Sequence, residues 1–129
     1  MNRSLISSGG PWEAKIGYSR AVKVGPFVAV SGSTAMTPDG LVGKGDAYAQ
    51  TVQTLKTILL ALEKAGAKPE HVIRTRIYLA RMADWQDVGR AHGEIFGTIR
   101  PASTMVEVSK LINDDMLVEI EADAIIPDA

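Results

Sequence analysis

Three carboxylates on one predicted strand have the clearest spacing for chemistry in this sequence. Glu119, Glu121 and Asp123 alternate with apolar residues within Leu117–Ile126, so they lie on one face of a β-strand. Like charges along one strand face repel each other unless water or basic groups face them. In a cleft of low polarity, Glu119 or Glu121 would hold or deprotonate a water molecule. Ion pairing with arginines of a neighbouring strand is the competing interpretation.

The other reactive side chains lack the partners that their chemistry needs. Ser31 and Ser103 lie at strand ends, but no Gly-x-Ser-x-Gly elbow surrounds either serine. His71 and His92 lie on different predicted elements without the spacing of a metal pair. His92 also falls on an apolar helix stripe, where a packed histidine is typical. The glycines of Leu41–Asp46 match no phosphate-binding motif. Because the histidines also lack the spacing of a metal pair, we predict neither a metal nor a cofactor.

Length, composition and charge exclude several classes of protein. The 129 residues suffice for one domain, residues 1–129, with its own hydrophobic core. There is no cysteine, which excludes disulfides and thiol nucleophiles. A formal net charge of −1 provides no bulk positive field for nucleic acid or an anionic membrane. With no signal-peptide core and no membrane-spanning run, we expect a cytoplasmic protein.

Helical periodicity predicts two helices within the order β-β-α-β-α-β-β. The first helix, Asp46–Ala65, has Asp46 as its N-cap and Gly66 where a C-terminal cap belongs. The second follows Asp84, a second predicted N-cap, and ends at Phe96. Its predicted apolar stripe consists of Trp85, Val88, His92, Ile95 and Phe96.

Short alternating runs predict the strands. The five strands of this order are Arg20–Val24, Phe27–Ser31, Val72–Leu79, Ala102–Val108 and Leu117–Ile126, and Met1–Ile6 is an additional short edge strand. Helices that connect such strands pack on one face of a mixed sheet, which predicts an α+β fold. The other face carries Arg74, Arg76 and the three carboxylates, so neighbouring strands would form cross-strand ion pairs there. A partner subunit would cover this face, and we therefore expect an oligomer.

Three blocks of the sequence resemble the YjgF/RidA family and together span nearly the whole chain. They are IGYSRAVKVGPFVAVSG, GDAYAQTVQTLKTILLALEKAGAKPEHVIRTRIYL, and RPASTMVEV followed by LVEIEADAII. The resemblance implies a chorismate-mutase-like fold. It also implies a homotrimer whose sheets join into a central barrel, with a cleft for a small metabolite at each interface.

The resemblance also implies a chemistry and a set of site residues. Well-studied members hydrolyse reactive enamines and imines, such as 2-aminoacrylate, to keto acids and ammonia. By this resemblance Glu119 positions the attacking water, and Tyr18 and Ser31 line the cleft. Ser103, where the family has a substrate-clamping arginine, and Met105, where it has a cysteine, are the other two substrate-binding positions that the resemblance implies. A serine cannot make the bidentate, charge-assisted contact of an arginine, so the chain resembles a subgroup that lacks the clamp.

Three functions stay open at this point. The leading one is hydrolysis of an imine or enamine without the usual α-carboxylate, because the acid Glu119 is retained and the clamp is lost; Arg100 or Arg20 would otherwise have to replace that clamp. The second is a non-catalytic metabolite-binding or regulatory module. The third, ribonuclease or translation inhibition as attributed to some relatives, conflicts with the net charge of −1 and the lack of a basic stripe with interleaved aromatics.

Overall fold

The computed structural model describes residues 2–128 and contains two helices packed against a six-stranded sheet. The helices are α1 (Ala47–Lys64) and α2 (Trp85–Phe96). The strands are β1 (Arg3–Ile6), β2 (Ala21–Val24), β3 (Phe27–Ser33), β4 (Met36–Thr37), β5 (Gly40–Leu41), β6 (Val72–Leu79), β7 (Ala102–Glu107) and β8 (Val118–Ile125). Among residues 2–128, no helix has the length and apolar character needed to cross a membrane.

The large sheet has the strand order β1-β2-β3-β8-β6-β7, and β4 with β5 forms a separate small hairpin. All neighbours in the large sheet are antiparallel except β6 and β7, which are parallel and are connected through α2. This arrangement confirms the predicted α+β class and mixed sheet. The predicted edge strand is present at Arg3–Ile6, whereas Met1 lies outside the described residues.

Helix α1 begins and ends as its sequence predicts. The Asp46 carboxylate accepts a hydrogen bond from the backbone N–H of Ala49 at 3.0 Å, which satisfies one free donor of the first turn. Leu55, Ile58 and Leu62 are fully buried and pack on the sheet face that carries Val28, Val30, Ile77 and Ile120. The core therefore lies between the helices and this one face of the sheet.

Two predictions for α2 are wrong. The Asp84 side chain does not cap the helix; it pairs with the guanidinium of Arg81, with Oδ2 at 3.1 Å from Nε, because a charged partner competes for the carboxylate. Trp85 is 51% exposed and does not belong to the apolar stripe. The buried stripe begins only at Val88, one turn later, and continues through Ala91 to Phe96.

The open face of the sheet carries the polar side chains that the sequence placed there. Strands β6 and β8 are neighbours, as the ion-pair prediction required. Arg76 pairs diagonally with Asp123 at 2.9 Å, and the Tyr78 hydroxyl donates to Glu121 at 2.7 Å. The cross-strand ion pairs therefore account for Asp123 but not for Glu119.

Candidate functional site

A bulge in β3 creates the setting for Glu119. Val30 pairs with Ala122 and Ser33 pairs with Ile120, so the two residues between them, Ser31 and Gly32, stand opposite a single residue of β8. One extra residue bends a strand and redirects the neighbouring side chains. The bulge lies opposite Glu121 and therefore changes what lies beside the N-terminal end of the carboxylate row, where Glu119 is.

The Glu119 side chain lies over Gly32. A β-carbon on Gly32 would be 3.0 Å from Cδ of Glu119, so only glycine leaves this space open. The Glu119 side chain is half-buried, and its carboxylate forms no hydrogen bond with the protein among residues 2–128. Burial and the neighbouring Glu121 charge raise the pKa of Glu119, and the Arg20 charge opposes this shift. The carboxylate is thus shielded, close to a cation and free to bind another molecule.

Gly32 and the charge of Arg20 lie next to Glu119, and Tyr18 and Ser31 join them through Arg20 and the β3 bulge. We call this group the Glu119 cluster: Tyr18, Arg20, Ser31, Gly32 and Glu119. Nη1 of Arg20 donates to the Gly32 carbonyl at 2.7 Å and to Ser33 Oγ at 3.0 Å. Nη2 of Arg20 lies 3.4 Å from the Tyr18 hydroxyl, and the guanidinium lies over the Tyr18 ring. The Ser31 hydroxyl donates to the Ser19 carbonyl at 2.6 Å. The structure therefore brings together three predicted site residues, Tyr18, Ser31 and Glu119.

The other two predicted site residues lie elsewhere, on edge strand β7. Ser103 pairs with Thr75 of β6 and Met105 pairs with Ile77, so both side chains lie on the helix-facing side of the sheet. Met105 packs against the hydrophobic core. Strands β3 and β7 are separated by β8 and β6, which places them roughly 14 Å apart at about 4.8 Å per step. A single chain therefore does not bring all the predicted site residues together.

Ser103 belongs to a hydrogen-bonded chain that the sequence did not reveal, which we call the Thr75 chain: Ser103, Thr75 and His92. Thr75 is fully buried and its hydroxyl donates to Ser103 Oγ at 2.8 Å. Since a hydroxyl has one proton, the Thr75 oxygen accepts from Nε2 of His92, 2.9 Å away. Burial lowers the pKa of His92, which favours the neutral ring. His92 is a packed histidine, as expected, but it has a polar partner.

Sequence reasoning identified Arg20 only as one of two candidates for the missing clamp. The other candidate, Arg100, lies four residues beyond the end of α2 with φ of 55°, and its backbone N–H donates to the Phe96 carbonyl. Among residues 2–128 its side chain forms no hydrogen bond or ion pair with the cluster. The roles of Gly32 and Thr75 were missed, and only the Ser31-Gly32-Ser33 sequence at a strand end was a signal for the bulge.

The donor chemistry of the described residues gives no setting for a metal ion. Within residues 2–128, no three His, Asp or Glu side chains converge closely enough to hold one. His71 instead accepts a hydrogen bond from the backbone N–H of Lys68 at 3.0 Å within its own turn.

Comparison with known proteins gives consistent relationships. The family model described as Endoribonuclease L-PSP matches residues 11–126. The uncharacterized protein SCO2049 of Streptomyces coelicolor is 43% identical over 119 residues, covering 92% of this chain and 89% of the relative. The RutC family protein PYRAB12510 of Pyrococcus abyssi is 39% identical, covering 81% of this chain and 83% of the relative.

A solved structure supports the same relationship at the level of the fold. The crystal structure of Rv2704 from Mycobacterium tuberculosis, described as a member of the YjgF/YER057c/UK114 family, is 46% identical with a TM-score of 0.88. The match covers 97% of this chain and 100% of Rv2704. The chorismate-mutase-like fold expected from the sequence is therefore confirmed.

Proposed function

The chain belongs to the YjgF/RidA family, and from this premise we propose that it hydrolyses a small imine or enamine to a carbonyl compound and ammonia. The reaction takes place in a cleft between subunits of a homotrimer, and Glu119 positions the attacking water. The observation that carries the proposal is the state of Glu119. It is a half-buried carboxylate with a raised pKa and no protein hydrogen bond among residues 2–128.

The geometry of the Glu119 cluster suits a general base. A carboxylate that is committed to an ion pair is a weak base, whereas Glu119 has no ion pair within 4.0 Å in the described part of the chain. Glu121 and Asp123, by contrast, are occupied by Tyr78 and Arg76. Glu119 is therefore the one carboxylate of the row that has no side-chain partner among residues 2–128.

The proposed steps conserve atoms and protons. An enamine first takes a proton from solvent at carbon, and an imine takes one at nitrogen, so that both become the iminium ion. Water then adds to the C=N carbon while Glu119 accepts a proton from it, which gives a neutral carbinolamine. Glu119 returns this proton to nitrogen, the C–N bond breaks, and the hydroxyl proton passes to the departing ammonia as the carbonyl forms, so that ammonium leaves. No redox partner is required.

A second copy of the chain is part of the proposal because one chain holds only half of the predicted site. Ser103 and Met105 lie on the opposite side of the sheet from Glu119 and two strands away, which is about 10 Å by strand count. The open sheet face also exposes large apolar side chains, with Leu5, Phe27 and Val106 at 64%, 56% and 40%. Such an unpartnered face favours association.

The test is a hydrolysis assay on purified protein, with 2-aminoacrylate generated in situ beside an imine without a carboxylate. Glu119→Gln keeps the shape but removes the base, so we expect kcat to fall by about 100-fold or more. Glu63→Gln, on the exposed side of α1, is the matched control and keeps its rate. Unchanged turnover in Glu119→Gln would exclude the proposed role. Sedimentation equilibrium should give three times the 13.8 kDa chain mass.

A non-catalytic metabolite-binding or regulatory module is the second candidate. The observation that favours it concerns Ser103, which stands where the family has its arginine. The Ser103 hydroxyl accepts a hydrogen bond from Thr75. This function predicts saturable binding of a small metabolite without turnover. Calorimetry with candidate metabolites would reveal it, and heat accompanied by ammonia release would instead support the enzyme.

Ribonuclease activity ranks third, although the matched family model carries the name Endoribonuclease L-PSP. The net charge of −1 and the carboxylate row on the open face disfavour a polyanion. RNA degradation that follows the trimer peak through chromatography would overturn this ranking. The cytoplasmic location expected from the sequence stays a prediction.

A further inference from the structure

We propose that Ser103 is a nucleophile for acyl transfer, activated by His92 through the buried hydroxyl of Thr75, and that it hydrolyses an activated carboxylic ester. This activity goes beyond the imine or enamine hydrolysis proposed above and does not use Glu119, which lies on the opposite side of the sheet. The observation that carries the proposal is the Thr75 chain, a continuous line of hydrogen bonds from an exposed hydroxyl to a half-buried imidazole.

The side chains of the Thr75 chain are held at hydrogen-bonding distances by three packed elements. Oγ of Ser103 lies 2.8 Å from Oγ1 of Thr75, which in turn lies 2.9 Å from Nε2 of His92. Ser103 and Thr75 pair across the parallel strands β7 and β6, and His92 reaches Thr75 from α2. The His92 ring also packs on Phe96, with the ring centroids 4.7 Å apart. Strand register and helix packing therefore fix this geometry before a substrate arrives.

The direction of the hydrogen bonds depends on the tautomer of His92. With the ring proton on Nε2, His92 donates to Thr75, and Thr75 donates to Ser103. With the ring proton on Nδ1, Nε2 is an acceptor, and the same distances let Ser103 donate to Thr75 while Thr75 donates to His92. Because a hydroxyl both donates and accepts, the second arrangement passes a proton from Ser103 to the imidazole.

His92 has the protonation state that a base needs. Its pKa is lowered because burial disfavours the charged ring, so the imidazole is uncharged at neutral pH. Among residues 2–128, His92 takes part in no ion pair, and the one hydrogen bond of its side chain is to Thr75. The base is therefore not committed to an acidic partner, and its Nε2 atom is directed at the relay hydroxyl.

The nucleophile lies where a substrate can reach it. Ser103 is exposed, and β7 is an edge strand of the sheet among residues 2–128. The N–H of Val108 donates to the Leu79 carbonyl at 2.8 Å, and β7 pairs with β6 without a register shift. Because amide direction alternates along a strand, the N–H of Ser103 points away from β6, at the free edge. It can therefore donate to the oxyanion that forms when Ser103 attacks a carbonyl group.

The ester hydrolysis balances at each step. Oγ of Ser103 bonds to the carbonyl carbon as its proton passes to Thr75, and a Thr75 proton passes to Nε2 of His92. The C–O bond to the leaving group then breaks, and this group leaves as an anion. Water attacks the acyl carbon and gives one proton to solvent, after which the Ser103 oxygen departs and regains a proton from His92 through Thr75. Since Thr75 separates the imidazole from the leaving group, the ester needs a stable anionic leaving group.

The first test measures turnover of p-nitrophenyl acetate and labelling by a fluorophosphonate, which forms a permanent bond to an activated serine. Wild-type protein should release p-nitrophenolate, and peptide mass spectrometry should find the label on Ser103. Ser103→Ala should lose the label and at least about 100-fold of the turnover rate. Ser109→Ala, which removes the same hydroxyl from an exposed position just beyond β7, is the matched control and should react as wild type does.

Thr75 and His92 act through Ser103, so their variants need a readout that a purely structural role would not change. Thr75→Ser keeps the relay hydroxyl and should retain the labelling rate, whereas Thr75→Val removes it and should slow labelling by about 100-fold. His92→Gln keeps a polar partner for Thr75 but removes the base. It should slow labelling by a similar factor while circular dichroism still shows a folded protein.

Two results would overturn the proposal. One is wild-type protein that carries no fluorophosphonate label on Ser103, a result that needs no variant and does not depend on the folding of Thr75→Val. The other is equal labelling of Thr75→Val and Thr75→Ser, because the relay hydroxyl would then have no function. Both measurements are made without an imine, so neither result bears on the hydrolysis proposed for Glu119.

Discussion

Glu119 occupies the space above Gly32 in which any other residue would have a side chain. An ideal β-carbon at Gly32 would lie 3.0 Å from Cδ of Glu119 and still closer to its Oε2 atom. The same glycine supplies the carbonyl that fixes Arg20 at 2.7 Å. The bulge in β3 therefore positions the proposed base and the Arg20 guanidinium together.

Gly32→Ala is expected to remove activity without removing the fold. The added methyl group displaces the Glu119 carboxylate, so kcat/KM for imine hydrolysis should fall by about 100-fold, close to the effect of Glu119→Gln. Gly93→Ala is the matched control, since a β-carbon there meets nothing within 4 Å. In that exposed helix position alanine should add about 0.5–1 kcal/mol of stability. Full activity of Gly32→Ala would show that the contact has no catalytic importance.

Glu119→Gln should be more stable than wild type at neutral pH. The pKa of Glu119 is raised above 4.5 because burial and Glu121 disfavour its charge. The folded state therefore holds the proton more tightly than the unfolded state, and wild-type stability is lost as pH rises from 4.5 through the raised pKa. From pH 4 to pH 8, the thermal midpoint of Glu119→Gln should rise relative to that of wild type. Parallel curves for the two proteins would contradict this reading of Glu119.

Tyr78→Phe should lower the free energy of unfolding and should also reduce the loss of stability at alkaline pH. The Tyr78 hydroxyl donates to Glu121 at 2.7 Å, and loss of this bond should cost about 1 kcal/mol. The same bond is the main cause that raises the pKa of Tyr78 above 10.0, so its stabilisation persists below pH 10.0 and is lost as pH rises through the folded-state pKa. Urea unfolding should show a smaller alkaline decline in the variant. An equal decline in both proteins would rule out this contribution.

Thr75→Val should destabilise the protein through the Thr75 chain. Valine keeps the volume but leaves His92 and Ser103 without the shared hydroxyl, which should cost about 1–3 kcal/mol. Thr54→Val is the control, because Thr54 is equally buried but its hydroxyl donates only to a carbonyl of its own helix, at 2.8 Å. Chemical denaturation should therefore rank Thr75→Val below Thr54→Val. The reverse order would mean that the hydrogen bonds of the Thr75 chain add little to the free energy of unfolding.

The reliable predictions came from patterns that depend on neighbouring residues in the chain. Alternation in Leu117–Ile126 placed the three carboxylates on one face, and Asp46 caps α1 through a residue three positions away. The errors in α2 have the same origin. The pattern around Asp84 and Trp85 is typical of a helix start. In the structure, however, the Asp84 carboxylate pairs with Arg81, and Val88 is the first residue of α2 that is buried in the core.

Hydrogen bonds between segments that are far apart in the sequence could not be predicted from such patterns. Gln50 is fully buried and bonds the backbone N–H of Leu117 at 2.8 Å and the Asp115 carbonyl at 2.9 Å. Nothing within α1 distinguishes Gln50 from an exposed glutamine. Its partners lie 65 and 67 positions away along the chain.

The sequence by itself determined the family, the α+β class and the faces of the strands, and it predicted Glu119 as the water-positioning carboxylate. Those features follow from residue periodicity and from motifs in linear order. Only the tertiary structure decided which carboxylate stays uncommitted, because that depends on the register of β8 against β6 and on the bulge in β3. It also decided that Arg20, not Arg100, lies beside Glu119, since contacts between distant segments are set by strand pairing and packing.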